Sequence, residues 1–284
     1  MVPRPQLSSK LLTTNYSPFL KWAGGKGRLL AQFAPLFPTK FNAYYEPFVG
    51  GGAVFFYLSN QYPGLVSKLS DSNTELVNCY QMVRDNPEQI IELLALKSND
   101  EDLFYQERAR DTASLDNLER AARLIFLNRT CFNGLYRVNS KGQFNVPFGK
   151  YKNPRIADHA TIMAASEALQ RASIVTSPFN VLPRRAVKGD FVYFDPPYQP
   201  VSKTANFTSY TKDSFTMDDQ AMLAEFARKL KAKGVQVMLS NSDTPEIRKL
   251  YKDFDIQVVK AARAINCKGT GRGVVNELVI RSYR

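Results

Sequence analysis

Gly189-Asp190-Phe191-Val192-Tyr193-Phe194-Asp195-Pro196-Pro197-Tyr198 contains the sharpest change of character in the chain. Four apolar residues between a Gly-Asp turn signal and two prolines read as a buried central strand of a parallel sheet. Asp195 then stands where the strand stops, and in open α/β sheets ligands gather at the carboxyl ends of such strands. Proline has no N–H, so the ladder ends here and the proline carbonyls are expected to face the pocket. With the Asp195 carboxylate and the flat ring of Tyr198, these carbonyls suit the gripping of an exocyclic amine on a planar base. Such an amine is a poor nucleophile because its lone pair is delocalised into the ring. Two acceptors holding its N–H groups turn the lone pair toward an electrophile, and Asp195 offsets the positive charge that develops, an effect of about 3–4 kcal/mol per preorganised group. A turn-capping Asp with a packing Tyr is the plain alternative, and the four residues alone name no substrate.

Two stretches nearer the amino terminus supply a partner for the amine. Tyr44-Tyr45-Glu46-Pro47-Phe48-Val49-Gly50-Gly51-Gly52-Ala53 reads as strand, glycine loop and helix start, the place where α/β proteins bind nucleotide-like groups. Asp71, after Val66-Ser67-Lys68-Leu69-Ser70, lies one strand-helix-strand step further on and can accept ribose hydroxyls. Dinucleotide and S-adenosylmethionine sites share this pattern. Beside an amine-gripping site it favours S-adenosylmethionine, whose sulfonium methyl is an electrophile. Phe19-Leu20-Lys21-Trp22-Ala23-Gly24-Gly25-Lys26 invites a phosphate-loop reading, but that spacing needs Gly at 20 and Ser or Thr at 27, where Leu20 and Gly27 stand. The Gly-Gly turn lets backbone approach a ligand, and Lys26 offers charge to a carboxylate; an exposed helix-start turn is the alternative.

Composition narrows the partners. With 284 residues, 44% of them hydrophobic, the chain fills one large or two smaller domains around a real core. A net charge of +12 points to a polyanion, with a membrane surface as the other reading. No apolar stretch approaches ~18 residues and the start Met1-Val2-Pro3-Arg4-Pro5 has no signal-like core, so neither spanning nor secretion is expected. Cys79, Cys131 and Cys267 are odd in number and lack CxxC spacing, which fits a reducing cytoplasm and no metal site. His159 is the only histidine, which excludes Ser-His and Cys-His nucleophiles; it reads as a surface residue.

The first ~15 residues lack periodicity and read as a loosely held tail. Asn73 to Leu127 is helix-like, with one helix over Glu75 to Val83, a second opened by Pro87, and a third over Leu118 to Leu127. From Arg120 to Arg155 there is no acid, while Arg120, Arg123, Arg129, Arg137, Lys141, Lys150, Lys152 and Arg155 are basic, interleaved with Phe132, Tyr136, Phe144, Phe148 and Tyr151. Val138-Asn139-Ser140-Lys141-Gly142-Gln143-Phe144 reads as a hairpin. Basic side chains neutralise phosphates and aromatic ones stack on bases or wedge into a gap; a solvated hairpin over core aromatics is the alternative. After Ile174 the alternation resumes. Ser202 to Lys212, with Phe207 and Tyr210, reads as a loop closing over the site. A helix follows over Asp218 to Lys233, then a strand over Val235 to Leu239 and a short helix over Pro245 to Tyr251, capped by Thr244. Ile256 to Ala261 and Val274 to Arg281 form a closing strand pair, and their basic link Asn266 to Gly273 is a phosphate contact or a plain loop.

Lys21-Trp22-Ala23-Gly24-Gly25-Lys26, Glu46 to Ala53 and Asp195-Pro196-Pro197-Tyr198 stand in one order, with Phe132-Asn133-Gly134-Leu135-Tyr136-Arg137 and Phe144-Asn145-Val146-Pro147-Phe148-Gly149 between them. This combination resembles the Dam family of DNA adenine-N6 methyltransferases, over about residues 17 to 284. The resemblance implies an α/β fold: a seven-stranded S-adenosylmethionine-dependent, Rossmann-like methyltransferase sheet with an inserted helical and β-hairpin recognition domain. The catalytic domain would be 16–73 and 158–284, the insert 74–157, and the basic hairpin about 129–152. It also implies S-adenosylmethionine held by Trp22, Lys26, Phe48, Val49, Gly50, Gly51 and Asp71. Asp195 through Tyr198 would hold a flipped adenine, with Asp195 bordering both sites. Phe132 and Asn133 would support the gap and backbone, Leu135 and Arg137 would read bases of GATC, Lys21 would reach a base or phosphate, and Arg129 and Lys141 would meet DNA. The partner expected is double-stranded DNA, met by a monomer or weak dimer in the cytoplasm, with no membrane and no metal. Readings that remain beside it are a methyltransferase for another conjugated amine (cytosine N4, RNA adenine or a protein amide), a silent DNA-binding module, and a nicotinamide oxidoreductase.

Overall fold

A computed structural model of the chain describes residues 14–199, 215–262 and 274–284, with Val2–Pro3 in addition. The expected closing loop with Phe207 and Tyr210, the link 266–273, Cys267 and most of the amino-terminal tail lie outside the described residues. Val2–Pro3 (β1) pairs antiparallel with Lys40–Phe41 (β2). The remaining strands are β3 (Tyr44–Glu46), β4 (Ser67–Asp71), β5 (Ala172–Thr176), β6 (Phe191–Phe194), β7 (Gln236–Ser242), β8 (Asp255–Ala262) and β9 (Val274–Arg281). They form one seven-stranded sheet in the order β5-β4-β3-β6-β7-β9-β8. The run from β5 to β7 is parallel, and β9 joins β7 and β8 antiparallel.

The central strand β6 is buried on both faces, which is why it reads as a continuous apolar run rather than an alternating one. Along β6, Phe191 and Tyr193 enter one hydrophobic core while Val192 and Phe194 enter the other. The smaller core is closed by α8 (Met217–Ala232), through Leu223, Ala224, Ala227 and Leu230, and by α9 (Pro245–Leu250). The larger is closed by α1 (Leu30–Phe33), α2 (Ala53–Gln61), α3 (Thr74–Asp85), α4 (Pro87–Ala95), α5 (Glu101–Ala109), α6 (Asn117–Thr130) and α7 (His159–Leu169).

Caps set several of these boundaries. The Asn73 side chain accepts from the Glu75 and Leu76 amides, Asp116 forms a capping box with Glu119, and Thr216 forms one with Asp219. The Asp100 cap opens α5 inside a stretch whose polarity masks it; α5, α7 and the single turn α1 are helices that periodicity leaves unassigned. His159 is exposed at the start of α7, as expected. Cys79 and Cys131 are free and buried. Among the described residues no helix is long and apolar enough to cross a membrane, and no His/Cys/Asp/Glu cluster has metal-holding geometry.

Candidate active site and nucleic-acid interface

Strand β6 carries Asp195 to the carboxyl end of the sheet, beside Ser240 of β7. Lys26 Nζ lies 2.7 Å from the Asp195 carboxylate and also donates to the Gly24 carbonyl at 2.8 Å. Ser240 Oγ donates to Asp195 Oδ1 at 2.8 Å and lies 2.9 Å from the Tyr193 hydroxyl. Lys26 Nζ stands 4.8 Å from the centre of the Tyr198 ring, whose hydroxyl donates to Glu277 Oε2 at 2.7 Å. Burial drives the Tyr198 phenol well above its ordinary value, and Asp195 and Glu277 add to the rise. Burial also raises the Glu277 carboxyl, against the pull of Lys26.

One expectation about the prolines needs correction. The Pro197 carbonyl is not free: Gln220 Nε2 donates to it at 2.9 Å, and Asn241 Nδ2 holds Gln220 Oε1 at 2.9 Å. Proline ends the ladder but leaves its carbonyl open to any side-chain donor, and α8 supplies one. Among the described residues no donor meets the Pro196 carbonyl.

The glycine loop lies between β3 and α2. Gly50 has φ 47°, and its N–H reaches Asp71 Oδ2 at 3.2 Å, while the Asn73 N–H reaches Oδ1 at 3.0 Å. A Cβ on Gly50 or Gly51 would come within 3.0 Å of Trp22, so glycine is what lets the indole lie along the loop. Trp22 also stacks on Tyr136, with centroids 5.2 Å apart. Burial raises the Asp71 carboxyl, and backbone N–H groups of Asn73, Gly50 and Ser72 counter it. Val49 is buried, and Phe48 stacks on Phe179 at 5.5 Å. Glu46 ends β3; burial pushes its carboxyl up to about 8 although the Tyr44 hydroxyl donates to it at 2.8 Å.

The third group of residues follows α6. Buried Asn128 accepts from the Lys21 N–H at 2.8 Å and donates to the Lys21 carbonyl at 2.7 Å and the Gly134 carbonyl at 3.1 Å. It thereby staples the Lys21-Trp22 segment to the turn Phe132–Gly134. In that turn Asn133 has φ 55° and Gly134 φ 61°, and a Cβ on Gly134 would meet Lys21 at 2.5 Å. Phe132 is half exposed (50%). Lys21, Arg129, Lys152 and Arg155 line a cleft of about 330 Å³ with Tyr151, over whose ring Lys21 Nζ sits at 4.3 Å. Burial and the neighbouring Arg129 hold the Lys21 ammonium below its ordinary value. Arg129 Nε is buried without a hydrogen-bond partner among the described residues. The hairpin forms as expected, with a Val138–Phe144 bridge and exposed Lys141 at its turn. Arg137 is exposed but held: Nε donates to Asn145 Oδ1 at 2.7 Å and Nη2 to the Asn145 carbonyl at 3.2 Å.

Residues 22–265 match the family model of the D12 class N6 adenine-specific DNA methyltransferases. The chain belongs to that family. It is 46% identical to the type II methyltransferase M1.LlaDCHI of Lactococcus lactis subsp. cremoris, over 95% of this chain and 96% of the relative. It is 44% identical to the type II methyltransferase M.MjaIII of Methanocaldococcus jannaschii, over 94% and 99%. It is 38% identical to the DNA adenine methylase of Escherichia coli K12, over 92% and 93%.

In this methyltransferase the fold brings Trp22, Lys26, the Phe48–Gly51 loop, Asp71 and Asp195–Tyr198 to one end of the sheet. Lys21 and Arg129 share the cationic cleft, and Leu135, half-buried, precedes Arg137 on the hairpin. Two members of the acid-free run are not surface cations. Arg123, 6% exposed, donates Nε to the Glu107 carbonyl at 2.6 Å and Nη2 to the Arg108 carbonyl at 2.8 Å, capping α5. Arg120 is paired with Glu75 of α3. A window scan for acids misses both, because their partners come from elsewhere in the chain. Sequence reasoning also leaves out Asn128, Ser240, Gln220 and Glu277. A polar triplet inside a strand, Ser240-Asn241-Ser242, is a signal that points to Ser240 and, through Asn241, to Gln220, since buried polar groups need partners.

Proposed function

We propose that this chain transfers a methyl group from S-adenosylmethionine to N6 of adenine in duplex DNA, within GATC, acting on a base turned out of the stack. The observation that carries this reading is Asp195, held from two sides and adjoining the Pro196 carbonyl, which meets no donor among the described residues, next to a glycine loop and Asp71. The amine of the target donates one N–H to Asp195 and the other to Pro196, Tyr198 stacks on the base, and the nitrogen lone pair is left for the electrophile. Asp195 sets negative charge where positive charge develops.

The residues fit the cofactor. The Asp71 oxygens, anchored by backbone N–H groups of Gly50 and Asn73, offer remaining lone pairs to a ribose hydroxyl. Gly50 and Gly51 expose backbone, Trp22 and Phe48 supply apolar walls, and Lys26 supplies an ammonium for the cofactor carboxylate. When bound, S-adenosylmethionine supplies a methyl on a sulfonium, ready for nucleophilic displacement.

Adenine N6 is engaged in base pairing inside the duplex, so extrusion is required and costs a few kcal/mol. Exposed Phe132 is suited to fill the gap, and Asn133 to hold the backbone beside it. Lys21, Arg129 and Lys141, with their basic neighbours in 74–157, neutralise phosphates. Asn145 takes the Nε/Nη2 edge of Arg137, which leaves the end of the guanidinium, with one N–H on Nη1 and the second N–H on Nη2, to fork on guanine, while Leu135 offers an apolar contact.

The test is mass spectrometry of nucleosides from GATC duplex treated with the protein and S-adenosylmethionine. N6-methyladenine is expected; N4-methylcytosine would transfer the reading to that amine. A 2-aminopurine at the target position should brighten on binding, and unchanged emission with binding confirmed would rule out extrusion.

A further inference from the structure

We propose that Ser240, itself oriented by Tyr193, is a positioning residue that fixes the Asp195 carboxylate for the target amine. The proposal rests on Asp195 being the amine acceptor and adds what decides its orientation. A carboxylate at a strand end rotates about two bonds, and an amine that must be gripped by two acceptors at once tolerates little of that freedom. Displacement of about 1 Å at a reacting centre costs on the order of 100-fold in rate.

Strand pairing supplies the restraint. Phe194 on β6 stands opposite Leu239 on β7, so the next residues, Asp195 and Ser240, are neighbours across the two strands. Ser240 Oγ has a single proton, and it is donated to Asp195 Oδ1 at 2.8 Å. The 2.9 Å contact between Ser240 Oγ and the Tyr193 hydroxyl therefore has Tyr193 as donor. Tyr193 and Ser240 are both fully buried, at 0% exposure, so neither hydroxyl has water to turn toward. The chain Tyr193 to Ser240 to Asp195 consequently runs in one direction, and each bond polarises the next toward the carboxylate. Lys26 engages the same carboxylate from the amino-terminal segment, but through a flexible side chain; Ser240 acts from a strand.

Single-turnover methylation of a GATC duplex tests this, together with separately measured cofactor and duplex affinities. Ser240→Ala should slow the methyl-transfer step by about 10-fold with both affinities unchanged. Tyr193→Phe, which leaves the Ser240 bond in place, should slow it by about 2- to 5-fold. In an Asp195→Ala background Ser240→Ala should have no further effect, because its target is gone; a role confined to core packing would persist there. A wild-type rate in Ser240→Ala, or an equal loss in the Asp195→Ala background, overturns the proposal. If Ser240→Ala does not fold, Tyr193→Phe decides alone, and a wild-type rate overturns it. A wild-type rate in Asp195→Ala removes the underlying reading instead, whatever Ser240→Ala does.

Discussion

The carboxyl end of the sheet and the basic face beside α6 are both polar, yet they are built on opposite terms. Around Asp195 the polar side chains are buried or half-buried and matched inside the protein: Lys26 and Ser240 to Asp195, Glu277 to Tyr198, Asn241 to Gln220 and Gln220 to Pro197. In the cleft of Lys21, Arg129, Lys152 and Arg155, cations face one another, and the one acid near them is Asp158, 3.8 Å from Arg155 among the described residues. A matched, buried site is rigid before its ligand arrives, as transfer chemistry requires. An unmatched cationic surface is costly by itself and is relieved by a polyanion.

The largest expected effect lies on the matched side. Asp195→Ala should lower methyl transfer by at least ~100-fold while duplex and cofactor binding survive, since it removes one preorganised group and no surface charge. A near wild-type rate would break the contrast at its centre.

Arg137 sits between the two regimes, exposed but tied to Asn145. Arg137→Ala should keep adenine as the target and lose about 10- to 100-fold of the preference for GATC over sites changed at a guanine-bearing pair. Rates on a panel of single-substitution duplexes check this. A uniform loss across the panel would reassign Arg137 to the phosphate contacts.

On the unmatched side, log K for duplex binding should fall linearly with log salt, and Arg129→Ala should reduce the slope by about 0.9. Arg123→Ala should instead lower the unfolding midpoint, because its guanidinium caps α5 and is only 6% exposed. Equal slope changes from the two variants would erase the distinction between a cation matched inside the protein and the cations of the cleft.

A further expected effect falls on stability and its pH dependence, through Glu46. Burial pushes its folded carboxyl up to about 8, above its value in the unfolded chain. Between those two values the folded chain binds the extra proton, so this group's contribution to stability is lost as pH rises, by at most about 1.4 kcal/mol per pH unit. Unfolding midpoints of Glu46→Gln should therefore decline less from about pH 5 to about 8 than those of wild type. Parallel profiles would mean that Glu46 is ionised in the folded chain.

By itself the sequence determined what is written in short range. The β6 run, the glycine loop, the Pro87 and Thr244 helix starts and the 138–144 hairpin are legible because apolar periodicity, proline geometry and turn chemistry act between near neighbours in the chain. The candidate site residues stand out for the same reason: Asp195, Asp71 and the Gly50-Gly51 pair contrast with the runs beside them. Tertiary structure alone decided who meets whom. Lys26 meets Asp195 across 169 positions, Ser240 meets it across 45, and Gln220 takes the Pro197 carbonyl from 23 residues away. It also turned Arg120 and Arg123 from apparent surface cations into internal partners of Glu75 and of the α5 carbonyls. Hydrogen bonds and ion pairs depend on separation in space, and no local pattern of residues encodes which distant carbonyl or carboxylate a folded strand will bring within 3 Å.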